Sequence, residues 1–568
     1  MAFALVAQAP TQPTAPSISA SAPGSNSLNI ALNSPSVEPV YGVGGYNINV
    51  AANGGSYVRI ASNIPQSSFP YNWSGASSST PYQVKVNGVD LSPNRVISPD
   101  SNIASATTSG ASSGLPFPRL WVHAGGGTRD YYGSTLRTYF KCFNGVTLNA
   151  WDGWSAGKPM NIAQVTDDIK AGSLWSSGTL VVHYYNAYTI SPSIQNYSVL
   201  SGANFLLRET SPSGPLVTRN TTFNVGWFSA GGPTLGGRTC QQYFTDYVLD
   251  YQYNGGAAGL AVFSNPVNPN LDGTWWDDLQ FELQNGHGDW LRTGVDNLDS
   301  PAASAAMRAG WSFMWGRFNS AKPTKLRMAN VSQIASHSTP SERAELAGIL
   351  DGGGQEGMLG QTFCVESFST WDASMTSYIN EVAFTKDKEK NYFMHACLTT
   401  NGQDFYRNVS PWQAVRYGLA YCLMYDSAYC PCPNGVTGTP TTSSGGYSTN
   451  FMPFWADEFA VQPGSNQCLT YPNVGPGLGW MGDPIDVGPI TTRWTQGLLR
   501  RRFRRRGDGK EVWVILNPKG NAQQSVVIPQ TMKFLQGVQE TTVNNGATIT
   551  AGSSITIPVN EGRFLVQP

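Results

Sequence analysis

Between residues 28 and 98 apolar side chains alternate with polar or small ones at period two. Leu28, Ile30 and Leu32 make one such run. Tyr46, Ile48 and Val50 make a second, Tyr57 to Ile60 a third, and Tyr82, Val84 and Val86 a fourth. Turn residues separate them, so the pattern predicts short strands with one buried face each, in a small antiparallel sandwich. From residue 116 the pattern changes. Short apolar runs at Pro118–His123, Gly178–Tyr185, Gly273–Asp278, Lys325–Asn330 and Tyr392–Leu398 are separated by stretches of helical period. The clearest helix covers Ala302–Asn319, where Met307, Trp311, Met314, Trp315 and Phe318 share one face. Ser410 followed by Pro411 reads as an N-cap and first helical position, opening a helix through Val415, Leu419 and Leu423. Strands alternating with helices over 116–494 predict a parallel sheet, and at that length a closed (β/α)8 TIM barrel rather than an open sheet. After residue 495 short strands return without helices, predicting a C-terminal all-β sandwich over 495–568.

Composition fills the gaps in this layout. Residues 1–27 are rich in Pro, Ala, Ser and Thr and read as an arm; residues 99–115 read as a linker. The formal net charge of -1, with only 12% charged residues, gives no general pull toward nucleic acid or an anionic membrane. No apolar run is long enough to span a bilayer. Aromatics make up 12% and include 17 Trp, which suits a cleft for the flat C–H faces of sugars and equally a large β-rich core. The start, MAFALVAQAP, lacks a basic n-region and has too short an apolar run for a signal peptide. The Lys-poor, Ser/Thr/Asn/Gly-rich texture is nevertheless that of an extracellular protein. Together these features lead to the expectation of an extracellular or virion-associated chain, with virion attachment or self-association through the N-terminal module. The eight cysteines show no paired CxxC spacing, so no metal site or cofactor is expected. Several lie in apolar segments and read as buried thiols, while Cys430 and Cys432 could each pair with Cys422 or Cys468.

The candidate chemistry lies in carboxylates at strand ends. Glycoside hydrolysis needs two carboxyl groups across the scissile bond, one to protonate the leaving oxygen and one to attack or to activate water. In a barrel these sit at the C-terminal ends of strands. The run Leu271–Asp278 is an apolar strand finishing in two acids, Asp277 and Asp278. The run Ile349–Glu356 passes through three glycines to Glu356, and glycines at a strand end let a substrate approach the backbone. Glu366 is the rival second acid. Asp277 is expected to be the ionised nucleophile or base and Glu356 the acid, with Asp278 in support. A carboxyl separation of about 5–5.5 Å would indicate retention, and about 6.5–9.5 Å inversion.

Two resemblances attach to these residues. The stretch from the Pro-rich entry through Gly45 and Tyr46 to Pro81–Val86 resembles a fibronectin type III module. Residues 116–568 resemble glycoside hydrolases related to the endo-α-1,4-polygalactosaminidase superfamily. That family carries a DGxxxDN fourth strand, an Asn after the fifth and a Glu after the sixth. Asp272, Gly273, Asp277 and Asp278 match the first element, Asn330 the second and Glu356 the third. Asp278 stands where the family has Asn. The resemblance implies a (β/α)8 barrel between the two β modules, with Asp277 and Glu356 catalytic and a polysaccharide, such as a bacterial surface glycan, as substrate. The alternative is a non-catalytic carbohydrate-binding adhesin or virion protein on the same scaffold.

Further residues are candidates for sugar contact. Trp276 and Trp227 offer stacking faces, Asn330, Tyr185 and His123 offer hydrogen bonds, and Arg208 could orient a carboxylate. The one strong charge run is Arg500–Arg506. Strand alternation puts Arg501, Phe503 and Arg505 on one face. Burying that many guanidinium groups is costly, so much of the run is expected to be exposed or at an interface, as a solvated edge or a site for an acidic glycan or partner.

Overall fold

The computed structural model describes residues 11–21, 28–52, 54–73, 81–107, 115–124, 134–149, 160–186, 189–190, 197–210, 214–219, 223–225, 234–257, 260, 267–277, 288, 291, 300–331, 348–360, 366, 369–395, 409–431 and 455–568. It divides into two compact units, Met1–Gly114 and Leu115–Pro568.

Among its described residues the first unit holds seven strands: β1 (Ser17–Ser21), β2 (Leu28–Ser34), β3 (Val43–Ala52), β4 (Val58–Ile64), β5 (Tyr71–Trp73), β6 (Pro81–Asp90) and β7 (Ala104–Thr107). They form two antiparallel sheets, β1-β2-β5 and β4-β3-β6-β7. The period-two runs close on each other: Leu28, Ile30, Tyr46, Ile48, Val50, Tyr82, Val84 and Val86 make one buried core. Strands β1 and β7 come from stretches whose composition reads as arm and linker. Each contributes a single buried apolar residue, Ile18 and Ala104, and owes its form to backbone pairing. The Asn102 side chain completes that pairing: its oxygen accepts from the Ile18 N–H at 2.8 Å and its amide donates to the Ile18 carbonyl at 2.9 Å.

The second unit is built on a nearly closed parallel barrel of eight strands, each hydrogen-bonded to the next in sequence. These are β8 (Trp121–Ala124), β9 (Gly145–Asn149), β10 (Leu180–Asn186), β16 (Gly273–Asp277), β17 (Leu326–Asn330), β18 (Gly352–Leu359), β19 (Asn391–His395) and β20 (Ala428–Pro431). A parallel bridge between Leu120 and Tyr429 brings the last strand back to the first. Among the described residues, five short strands lie between β10 and β16: β11 (Thr189–Ile190), β12 (Thr218–Arg219), β13 (Phe223–Val225), β14 (Thr234–Leu235) and β15 (Arg238–Thr239). Among the described residues the helices, in chain order, are α1 (Ser134–Phe140), α2 (Ile162–Ala171), α3 (Tyr197–Gly202), α4 (Cys240–Gln252), α5 (Pro301–Ala321), α6 (Trp371–Phe384) and α7 (Pro411–Cys422). Ser300 and Ser410 cap α5 and α7, each with proline in the first turn. Met307, Trp311, Met314, Trp315 and Phe318 form the buried face of α5.

Strand entries are pinned by one repeated device. The polar residue just before a strand accepts the backbone N–H of its neighbour: Asn144 from Leu120, Asp272 from Val181 at 2.8 Å, and Asp351 from Arg327 at 2.9 Å. Inside, Trp121, Val182, Trp275, Met328, Tyr392, Met394, Ala428 and Cys430 fill the lumen. That fixes the side-chain parity of six of the eight barrel strands, β8, β10, β16, β17, β19 and β20.

The chain ends in a six-stranded sheet ordered β21 (Asp483–Pro484), β22 (Leu499–Arg504), β23 (Glu511–Asn517), β28 (Glu561–Val566), β25 (Met532–Phe534) and β26 (Thr548–Ile549). A two-stranded sheet pairs β24 (Gln524–Val527) with β27 (Ser554–Ile557). One face of the large sheet packs with Val526, Ile555 and Ile557; the other, through Val512, Val514 and Phe564, joins the barrel's own core. Gly562 lets α7 sit directly on β28, since a Cβ there would lie 2.3 Å from the Arg416 carbonyl oxygen.

The arginine run keeps Arg504 and Arg506 exposed, but it is no solvated edge and it buries two of its members. β22 is flanked on both sides, and Arg501 (0% exposed) and Arg505 (4%) are buried with Phe503. Arg501 donates to the Leu423 and Tyr425 carbonyls and, at 2.6 Å, to Asp426, at the turn from α7 into β20. Arg505 donates to the Ser465 carbonyl. Arg502 and Arg506 pair with Asp486 and Asp483, and the Arg500 guanidinium lies 4.4 Å from both the Trp494 and Trp513 rings. Each guanidinium is tolerated because carbonyls, a carboxylate or an indole meet it.

Candidate active site

Parity decides which strand-end residues face inward. Trp275 lies in the lumen, so Asp277, two residues on, points the same way at the C-terminal end of β16. Asn330 follows Met328 on β17, Tyr184 follows Val182 on β10, and His123 follows Trp121 on β8. Glu356 lies on β18, two residues beyond Gly354, whose missing side chain faces the Tyr392 ring.

The inward residues meet. The Asn330 amide nitrogen donates to Asp277 Oδ1 at 3.2 Å and to Glu356 Oε2 at 2.5 Å. An amide NH2 carries two hydrogens, so one nitrogen can serve both acids. The Tyr184 hydroxyl donates to the other oxygen, Asp277 Oδ2, at 2.5 Å. Asn186 stands directly across from Asp277 in the β10–β16 register. Both carboxyl groups are half-buried, and their described donors are neutral.

Beneath them lies an aromatic floor. Trp121 and Tyr392 stack with centroids 4.8 Å apart, and Tyr184 stacks on Trp275 at 5.4 Å. His123 meets Trp275 edge-on at 4.6 Å, and its Nδ1 lies 2.7 Å from the Tyr392 hydroxyl. The glycines leading to Glu356 make room for neighbouring protein atoms rather than an incoming ligand, and Gly354 alone for this floor. A Cβ on Gly354 would lie 2.7 Å from the Tyr392 ring, one on Gly353 2.7 Å from Val331, and one on Gly352 2.3 Å from the Lys390 carbonyl. Protein atoms already hold the space those glycines leave.

Other candidates stand elsewhere. Trp276 and Tyr185 have the opposite parity and lie on the barrel's outer face. Trp276 packs edge-on against Phe318 of α5 and against Tyr185, which also meets Phe244 of α4. Arg208 donates to the Gly214 carbonyl at 2.6 Å within its own loop. Glu366 is buried and accepts from the Tyr417 hydroxyl of α7 at 2.6 Å, a separate set of partners from those of Asp277. Asp278 and Trp227 lie outside the described residues. Tyr184 was not singled out from the sequence. Its run, Gly178–Tyr185, is apolar on both faces, as expected for a strand buried on both sides, so period two could not say which tyrosine faces inward.

Among the described residues no cluster of His, Cys, Asp and Glu could hold a metal, and no helix is long and apolar enough to cross a membrane. Cys142 and Cys422 are buried thiols, and burial pushes each up to about 12. His183, also on the outer face, is pushed down to about 3 by burial alone.

No protein family matches the chain, and no curated protein is similar to it. Among solved structures, a fibronectin III-like protein from Clostridium thermocellum is 28% identical over 18% of this chain and 99% of its own, with a TM-score of 0.14. The human cardiac titin module A71 is 16% identical over 19% of this chain and 99% of its own, with a TM-score of 0.16. A β-1,2-glucanase from Parabacteroides distasonis is 22% identical over 19% of this chain and 14% of its own, with a TM-score of 0.15. Overlaps this small carry no functional argument, and the reading below rests on the geometry.

Proposed function

We propose that this chain is a glycoside hydrolase acting on a polysaccharide, with a (β/α)8 catalytic barrel between a fibronectin III-like module and a C-terminal β-sandwich. The observation that carries the reading is the single Asn330 amide shared by Asp277 and Glu356. It places two carboxyl groups from the fourth and sixth barrel strands at one mouth, with their bonded oxygens within about 6 Å of each other. Two such groups can flank one glycosidic bond. For the reaction we propose the retaining course, with Asp277 as nucleophile. Glu356, accepting from Asn330 on Oε2 and carrying its proton on Oε1, protonates the glycosidic oxygen as the C1–O bond breaks. The Asp277 carboxylate attacks C1 and forms a glycosyl ester. Glu356, now ionised, takes a proton from water; the oxygen of that water adds to C1, and Asp277 leaves as carboxylate.

The direct test is reducing-end release from a panel of bacterial capsules and lipopolysaccharides, with proton NMR of the first anomer formed. Release with net retention, lost in Asp277→Asn, supports the proposal. Binding of a glycan without release, unchanged by Asp277→Asn, would replace it with an adhesin. A first product of inverted configuration would remove the ester step.

A further inference from the structure

We propose that Tyr184 is the positioning residue that holds Asp277 in its attacking orientation and assists its departure; this rests on the reading of Asp277 as the nucleophile. The phenol is locked from several sides. Its ring stacks on Trp275 at 5.4 Å and 22°, and the His123 ring closes one edge at 6.1 Å. His123 is itself held between Trp275 and the Tyr392 hydroxyl, and Tyr392 lies flat on Trp121. With the ring fixed, the hydroxyl reaches Asp277 Oδ2 while Asn330 reaches Oδ1. Two donors on two different oxygens set the carboxylate plane, which a single donor would leave able to rotate.

The same bond changes strength along the reaction. A phenol donates more strongly to a carboxylate than to an ester carbonyl. When Asp277 attacks C1 through one oxygen, the other becomes the carbonyl and the Tyr184 bond weakens. When the ester C1–O bond breaks, negative charge returns and the bond strengthens. Tyr184 therefore favours release of Asp277 in the second half, and it keeps its own proton throughout. Among the described residues, the titratable groups near Asp277 include Tyr184 from β10 and Glu356 from β18 across Asn330, with His123 of β8 behind Tyr184.

The test is Tyr184→Phe beside a protein carrying 3-fluorotyrosine at 184, which keeps the hydroxyl and makes it a better donor. Removing a donor from a carboxylate disfavours its charged form. On a cleaved glycan, Tyr184→Phe should lower kcat roughly 10- to 100-fold with a much smaller change in KM, and should move the acidic limb of kcat/KM to higher pH. The fluorotyrosine protein should recover kcat and move that limb the other way. A second readout needs no substrate: difference infrared titration of the intact protein against Asp277→Asn isolates the Asp277 carboxylate band. Its midpoint should rise in Tyr184→Phe. An unmoved midpoint in a variant with unchanged circular dichroism overturns the proposal, as does a kcat loss that the fluorotyrosine protein does not recover. A shifted midpoint in a protein that cleaves no glycan upholds the Tyr184–Asp277 coupling while the hydrolase reading falls.

Discussion

Asp272 and Asp277 open and close the same barrel strand and have opposite surroundings. Asp272 takes both of its oxygens to Lys170, at 2.6 Å, and accepts the Val181 backbone N–H as well. Asp351, at the entry to β18, does the same with Arg327, whose backbone and guanidinium both donate to it. Burial pushes Asp351 up, but the Arg327 hydrogen bonds and the charges of Arg327 and Lys386 outweigh it and hold the carboxyl below its usual range. At the other end of these strands, Asp277 and Glu356 meet a hydroxyl and an amide. A carboxylate matched to a cation and a backbone N–H is committed to the fold. Asp277 and Glu356 instead share one amide at the barrel mouth, the arrangement on which the proposed chemistry rests.

The largest effect that would break this comparison is at the C-terminal ends. Asp277→Asn and Glu356→Gln should each reduce turnover by roughly a thousandfold or more, with melting temperatures close to that of the parent. Near-normal turnover in either would return Asp278 or Glu366 to candidacy. Next is Asn330→Ala, which removes the donor shared by both acids. Steady-state kinetics should show kcat/KM falling about 10- to 100-fold, less than for either acid.

At the entry end the signs reverse. Asp351→Ala should cost about 1–3 kcal/mol of stability in denaturant titrations, while turnover per folded molecule stays near that of the parent. Because the folded Asp351 sits below its usual range, its contribution is present at neutral pH and is lost as pH falls through the acid range. An unchanged unfolding midpoint at pH 7 would show that the pin is dispensable.

The smallest effect concerns an intermediate case. Glu458 lies near the joint of barrel and C-terminal sheet, where burial pushes it up to about 7 although Arg416 and an Asn544 hydrogen bond pull it down. The folded state then holds a proton that the unfolded chain releases near pH 4.5. Stability due to this group falls as pH rises from about 4.5 to 7 and levels off above. Glu458→Gln should flatten that part of the stability–pH curve. An identical slope in the variant would mean that Arg416 keeps Glu458 ionised throughout.

Periodicity carried the layout a long way. Alternation over residues 28–86 located β2, β3 and β6, and the helical recurrence from Met307 to Phe318 located α5, because each pattern repeats the geometry of its own element. Acids at strand ends singled out Asp277 and Glu356, and the motif order added Asn330. Partners remote in sequence were not legible. β1 and β7 are strands because β2 and β6 offer them hydrogen bonds, and Arg501 is buried because the turn before β20 brings it two carbonyls and Asp426.

The sequence by itself determined where the strongly patterned elements run, β2, β3, β6 and α5 among them, and which residue types stand at the strand ends, since both follow from local spacing. Only the tertiary structure decided which face of each barrel strand looks inward. A parallel strand buried on both sides is apolar on both, so its own pattern cannot separate lumen from helix layer. Closure of the barrel broke that tie: it turned Tyr184 and Asp277 into the mouth, sent Tyr185 and Trp276 to the outer layer, and let Tyr392 occupy the space that Gly354 leaves.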